Sequence, residues 1–339
     1  MRVFQIDGDW SFDHLKLAER PEPTAGPGEV VLRMRRASLN ARDLIVPLRG
    51  YGRGTGELPL IPLSDGVGEV VEIGEGVTRV AVGDRVCPLF FQNWQGGEPS
   101  PAAFASSLGG PIDGTAAEMM RLSAEGVARV PDHLTDAEAA ALPCAALTAW
   151  SAISTYGRLR AGDRILIQGT GGVALSALQF AKALGAHATG ISSSDEKLEK
   201  VRALGADETL NYRQTEDWAR AFRDMTADRG GFDHILELGG AQTLPLSVRA
   251  IRPGGVISLI GVLSGLKPDL SLGAVVTRQV RLQGITVGHR EGCEAMCRAI
   301  AAHGIHPVIG ESFPLEDLHA AFDRVRAGDA FGKTVVELG

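Results

Sequence analysis

The chain has 339 residues and lacks several things. No run of about 18 apolar residues occurs, so no segment reads as a membrane span. The most apolar stretch, residues 139–153, is broken by Pro143, Cys144 and Thr148. The opening MRVFQIDGDW has no apolar signal-peptide core, and a soluble cytoplasmic protein is expected. There is no block of Lys or Arg, and the net charge is −7, so neither nucleic acid nor an anionic membrane is an expected partner. Four cysteines, Cys87, Cys144, Cys293 and Cys297, are too scattered for a disulfide framework. Lysine is scarce: six of the 34 basic residues are Lys, which reads as genomic bias and not as function. Glycine, by contrast, is abundant, at 43 residues where ~7 per cent is usual. The glycines follow no three-residue period, which excludes collagen, and 44% hydrophobic content excludes wholesale disorder. They must serve turns or places of close backbone approach.

At roughly 150 residues per domain, the length suggests two domains. The first ~125 residues read as short strands and turns. Residues 29–36 alternate, with Val30, Leu32 and Met34 on one face. Residues 66–86 hold three short β-type runs punctuated by Gly-Glu-Gly and Gly-Asp, as in a small β-barrel. Residues 90–114 read as a long Gly-, Pro- and Ser-rich loop, either a lid or a mobile insertion. Thr135 with Glu138 forms a capping box that opens a helix. Strands at 164–168, 187–191, 208–212, 232–238, 255–260 and 280–285 then alternate with helices at 173–184, 195–204, 215–225 and 243–251. This pattern predicts an α/β fold with a six-stranded, doubly wound parallel sheet of the Rossmann kind. From Glu294 on, two helices and a last strand at 333–338 are expected.

Gly169-Thr170-Gly171-Gly172-Val173-Ala174 is G-x-G-x-x-A, placed after a strand and at the start of a helix. Gly169 permits the tight turn, and Gly171 lets backbone approach a pyrophosphate. Ala174 lets helix and strand pack closely, and the helix N-terminus offers free N–H groups. NAD binders place Asp or Glu about 20 residues on, at the tip of the second strand. Here that tip is Ser192-Ser193-Ser194, with Lys197 one turn later and Tyr212 ending the third strand. Small hydroxyls and a lysine suit a 2′-phosphate, so NADP(H) is the expected cofactor, with Ser193, Lys197 and Tyr212 as contacts. Later strand ends supply Leu238, Gly239 and Gly240, then Gly261, Val262 and Leu263, as further cofactor contacts.

The sequence resembles the medium-chain dehydrogenase/reductase superfamily, in particular its zinc-independent branch of quinone oxidoreductase-like and alcohol dehydrogenase-like proteins. The resemblance rests on residues 38–43 (SLNARD), 62–70 (PLSDGVGEV), 74–77 (GEGV), 83–86 (GDRV), 142–150 (LPCAALTAW), the GTGGVA turn, 204–207 (LGAD) and Asn211-Tyr212. It implies a GroES-like barrel of residues 1–125 and 290–339, interrupted by a Rossmann domain of residues 126–289. It also implies a homo-oligomer, dimer or tetramer. Zinc-dependent members of the superfamily hold catalytic zinc with Cys, His and a second Cys. At the matching positions this chain has Asn40, Ser64 and Cys144, and one soft ligand is not a zinc site. The loop that would carry structural zinc has no cysteine cluster. Cys87 stands alone, and Cys293-x3-Cys297 lacks a third partner. No metal is expected.

Without a Lewis acid, the expected substrate is an electron-poor acceptor: a quinone, an enone or another activated carbonyl. The resemblance places Asn40, Asp43, Ser64 and Thr148 toward the nicotinamide. Asn40 is the expected donor to the substrate oxygen. Tyr51 is a candidate proton donor, and Asp43 is expected to bond local backbone. Arg290 is a candidate for the cofactor pyrophosphate. A non-catalytic NADPH sensor and a zinc-free alcohol dehydrogenase are the alternatives.

Overall fold

The structure, a computed structural model, describes residues 1–226 and 228–339. Its strands in chain order are β1 (Arg2–Ile6), β2 (Leu15–Glu19), β3 (Glu29–Ser38), β4 (Asp65–Ile73), β5 (Arg85–Pro88), β6 (Met119–Ser123), β7 (Val127–Arg129), β8 (Arg164–Gln168), β9 (His187–Ser192), β10 (Glu208–Asn211), β11 (Phe232–Glu237), β12 (Ile251–Leu259), β13 (Arg281–Gly284), β14 (Ile309–Pro314) and β15 (Lys333–Glu337). The chain divides into two compact units. One is Met1–Leu147 with Val287–Gly339, and the other is Thr148–Thr286. The first unit is therefore discontinuous, with a long stretch up to Leu147 and a tail from Val287. The capped helix Asp136–Ala140, read as the opening of the second domain, packs against β3 and β4 of the first.

The first unit is the GroES-like domain. Its main sheet has the order β14-β15-β3-β4-β5-β7, with β6 also on β3. Val30, Leu32 and Met34 are buried as their alternation predicts, yet Val31 is buried too. Register shifts between Val31 and Leu32 and between Met34 and Arg36 break the simple two-sided pattern. Leu32, Met34, Val70, Leu108, Phe322 and Val336 share the unit's core, so the C-terminal tail completes it. β14 escaped the sequence reading because its residues are mostly exposed and carry no apolar alternation. Residues 90–114 are anchored by aromatics: Phe90, Phe91 and Trp94 are buried, and Phe104 lies 5.4 Å from Phe91 and 5.8 Å from Trp94 between ring centroids.

The second unit is the Rossmann-like domain. Its six strands are all parallel, in the order β10-β9-β8-β11-β12-β13. The chain starts mid-sheet and winds outward in both directions, which puts a switch point beside β8. Leu166, Ile191, Phe222, Phe232, Ile235 and Ile257 form its core. Its elements match the predicted ones to within a few residues. The largest shift is β12, which begins at Ile251 because its pairing with β11 slips after Phe232.

The Gly-Glu-Gly turn separates two reasons for glycine. A Cβ on Gly74 would lie 1.8 Å from the Gly26 carbonyl oxygen, whereas Gly76 has φ +81° and open space. Gly74→Ala is expected to cost roughly 3 kcal/mol or more, because main chain must move. Gly76→Ala should cost only ~1 kcal/mol of left-handed strain. Urea unfolding of both variants measures the difference.

Candidate functional site

In the second unit, β8 runs into Gly169, whose φ is +84° and whose N–H bonds the Ile191 carbonyl at 2.8 Å. Helix Gly172–Ala183 follows, with Gly171 as its N-cap and no side-chain cap. Its first N–H groups are therefore left for a ligand. A Cβ on Gly169 or Gly171 would meet nothing within 4 Å, so the bare backbone borders open space. Thr170 is buried and Val173 half-buried beside this opening, while Ala174 is packed inside. These residues fit a dinucleotide pyrophosphate.

At the tip of β9, Ser194 caps helix Asp195–Ala203 by accepting from Lys197 N–H at 3.4 Å. The nearest acid, Asp195, is engaged elsewhere: Asn211 Nδ2 and Gln214 Nε2 each donate to it at 2.8 Å. Ser193 and Lys197 are half-buried, and Tyr212 is exposed. The tip thus presents hydroxyls, one lysine and a phenol ring.

Sequence reasoning missed Glu237, which ends β11 wholly buried. Its carboxylate accepts from Gln168 Nε2 at 2.8 Å, from the N–H groups of Gly239 at 3.0 Å and Gly240 at 2.9 Å, and from the Thr243 and Ser247 hydroxyls. Gln168 Oε1 accepts from Leu238 N–H at 3.1 Å and Gly239 N–H at 3.2 Å. The turn 238–240 is thereby set by a buried network whose signal was an acid between an apolar strand and a Gly-Gly pair. Gly261 is glycine for packing: a Cβ there would sit 2.0 Å from the Leu238 carbonyl oxygen. Val262 and Leu263, by contrast, are solvent-exposed. Thr148 opens the second unit and is buried.

In the first unit, a polar cluster forms where the chain leaves β3 and enters β4. Asn40 caps the short turn Ala41–Leu44, and its N–H donates to Asp43 Oδ2 at 2.7 Å. Asp43 is the local backbone acceptor expected of it. Ser64 Oγ donates to Asp65 Oδ1 at 2.7 Å, and Cys144 N–H donates to Asp65 Oδ2 at 3.0 Å. Lys333, the first residue of β15, reaches in from the tail. Its Nζ donates to the Leu39 carbonyl at 2.5 Å and to Asn40 Oδ1 at 2.6 Å, and lies 3.9 Å from Asp65 Oδ2. Asn40, Ser64 and Cys144 are thus joined through Asp65 and Lys333, neither of which the sequence reading singled out. Asn40 Nδ2 is buried, makes no close hydrogen bond and faces Asp65, whose negative charge it favours. Burial pushes the Asp65 carboxyl above its ordinary range against the pull of Lys333, and raises the Cys144 thiol well above its usual value.

Two candidates sit elsewhere. Tyr51 is exposed, its ring 6.0 Å from the Arg42 guanidinium. Arg290 belongs to the first unit, with its guanidinium bonded to Glu125 and 3.8 Å from Glu294. Cys87 does not stand alone: its thiol and that of Cys297 both lie against Cys293, and all three are buried. Spacing could not show this, because Cys87 comes from β5 and the other two from helix Arg290–His303.

Residues 26–132 match the model of the alcohol dehydrogenase GroES-like domain, and residues 172–302 that of the zinc-binding dehydrogenase. A zinc-type alcohol dehydrogenase-like protein of Schizosaccharomyces pombe is 39% identical over 96% of each chain. The chain belongs to the medium-chain dehydrogenase/reductase superfamily. Among solved structures, a putative alcohol dehydrogenase of Sinorhizobium meliloti has a TM-score of 0.93 at 41% identity, covering 99% of this chain and 98% of that one. An NAD-dependent alcohol dehydrogenase follows at 0.91 and 31%, covering both chains fully. This medium-chain protein is therefore an oxidoreductase that works with a nicotinamide dinucleotide.

The family model's zinc has a poor fit to these residues. Among the described residues, no group of three or more His, Cys, Asp or Glu is placed to hold a metal ion. The three positions matched to zinc ligands carry an amide bonded to an ammonium, a hydroxyl bonded to a carboxylate, and a thiol that burial keeps protonated.

The cluster should leave a pH signature in stability. Burial raises the Asp43 carboxyl from 3.8 to about 6, against the opposing charge of Arg42. An acid raised in the folded state favours folding when protonated, below about 3.8, and that contribution is lost as pH rises through 6. The shift corresponds to roughly 3 kcal/mol. Asp43→Asn keeps an acceptor for the Asn40 N–H and should flatten this part of the stability profile between acid and neutral pH, measured by urea unfolding.

Proposed function

We propose that this oxidoreductase uses NADPH to reduce a quinone, an enone or a similarly activated carbonyl, and does so without zinc. The observation that carries the reading is the cluster of the first unit: Asn40 bonds the Lys333 ammonium, Ser64 and the Cys144 N–H bond Asp65, and Asn40 Nδ2 is buried without a close hydrogen bond. An alcohol needs a Lewis acid to lower its pKa, whereas an electron-poor acceptor does not. When bound, the nicotinamide supplies a hydride. Hydride addition to the acceptor carbon would move an electron pair onto the carbonyl oxygen, and a proton from solvent would complete the reduction. Asn40 is assigned the task of donating from Nδ2 to that oxygen as its charge develops. Ser64 is assigned to holding Asp65, and Thr148 to the cofactor's side of the reaction.

The preference for NADPH is drawn from the β9 tip. Ser193, Lys197 and Tyr212 offer neutral or positive groups to a 2′-phosphate, and Asp195 is already held by Asn211 and Gln214. Gly169, Thr170, Gly171, Gly172 and Val173 are assigned to the pyrophosphate, with Leu238 and Gly239 on the turn that Glu237 holds. Val262, Leu263, Leu266, Leu272 and Val276 are exposed in the segment between β12 and β13, which supports a homo-oligomer. Light scattering should return a multiple of the chain mass.

The test is consumption of NADPH with a panel of quinones and enones, run beside NADP+ reduction with primary and secondary alcohols. Turnover is expected with the first panel and little with the second. Tight NADPH binding with no turnover on any acceptor would overturn the reductase in favour of a sensor. Stoichiometric zinc in freshly purified protein would overturn the metal-free reading. Ser193→Glu should raise the KM for NADPH at least ~10-fold and leave NADH nearly unaffected. An unchanged NADPH KM would remove the 2′-phosphate assignment.

A further inference from the structure

Lysine is rarely buried unless it is paired. Lys333 is 5% exposed, and Asp65 and Asp43 beside it are wholly buried. Its ammonium bonds the Leu39 carbonyl and Asn40 Oδ1, and faces Asp65 at 3.9 Å. Asp65 in turn receives Ser64 Oγ and the Cys144 N–H. One cation is therefore linked, directly or through one carboxylate, to all three positions at which zinc-dependent relatives carry ligands.

We propose that Lys333 is the resident cation of this cluster, holding the electrostatic place that a metal ion has in those relatives. The proposal rests on the reductase reading and deepens it. The ammonium does two things. It fixes Asn40 by a charge-assisted bond to Oδ1, which leaves the amide one orientation and assigns Nδ2 as its donor atom. That bond also draws electron density toward Oδ1, so the Nδ2–H groups become stronger donors to a developing oxyanion. Second, its charge neutralises Asp65 and repels a divalent cation at short range, where the low-dielectric surroundings screen little. Lys333 is thus a positioning residue: it acts on the substrate through Asn40 and does not touch it.

Lys333→Gln keeps a hydrogen-bond donor near Asn40 and removes the charge, while Lys333→Met removes both. With NADPH and the best acceptor of the panel, both variants should lose at least ~10-fold in kcat, with the KM for NADPH changed by no more than about twofold. A purely structural lysine would instead lower thermal stability and leave the kcat of the folded fraction intact, so wild-type kcat in folded Lys333→Gln overturns the proposal. A second arm needs no turnover. Asn40→Cys with Ser64→His restores the zinc-type ligand set beside Cys144. Titrated with Co²⁺ and read by its ligand-field absorption, this double variant should show little tetrahedral cobalt while Lys333 is present. Adding Lys333→Gln should bring the absorption up to one cobalt per chain. Equal cobalt binding with and without Lys333 overturns the inference, even where the reductase reading stands. Absence of acceptor turnover in the wild-type protein would sink the reductase reading while this cobalt comparison still decides the cation's place.

Discussion

A buried ammonium has to be met by polar groups, and Lys333 is met by groups from two other stretches of the first unit. The Leu39 carbonyl and the Asn40 amide come from the end of β3, Asp65 from the start of β4, and the lysine itself from the last strand. Desolvating such an ion costs several kcal/mol, and only good hydrogen bonds return it. The arrangement therefore ties the tail to the barrel at the same place where it orients Asn40. Removing any partner would strand a buried charge, so the cluster is held as a set. The upward displacement of the Asp43, Asp65 and Cys144 protonation equilibria records the same low-dielectric surroundings.

The second unit solves a similar problem with different means. Glu237 is a wholly buried carboxylate, and five donors from Gln168, Gly239, Gly240, Thr243 and Ser247 meet it. Multiple hydrogen bonds to one carboxylate fix its position and that of its donors. They shape the turn after β11, next to the switch point where β8 delivers its glycine turn. The uncapped start of helix Gly172–Ala183 is the complementary feature, a set of donors kept without internal partners.

Much of this was readable in the chain. The βα alternation, the G-x-G-x-x-A turn and the Thr135–Glu138 capping box are local patterns, and local geometry enforces them. Asn40 and Asp43 could be paired in advance because they stand three residues apart across a turn. Lys333 could not be linked to Asn40, since 293 residues separate them and nothing periodic marks the tail lysine as buried. The pairing of Arg290 with Glu125 could not be read either, since 165 residues separate them. The three thiols Cys87, Cys293 and Cys297 meet for the same long-range reason that made Cys87 look solitary.

The scarcity of lysine reads as bias, yet two of the six, Lys197 and Lys333, carry assigned roles. By itself the sequence determined the two fold types, the dinucleotide turn and the missing zinc ligands, because each depends on residues close together in the chain. Only the tertiary structure decided which cation stands among Asn40, Ser64 and Cys144, which acids Arg290 serves, and where the first unit ends. Those are contacts between distant segments, set by burial and the need to satisfy buried charge, and no local spacing encodes them.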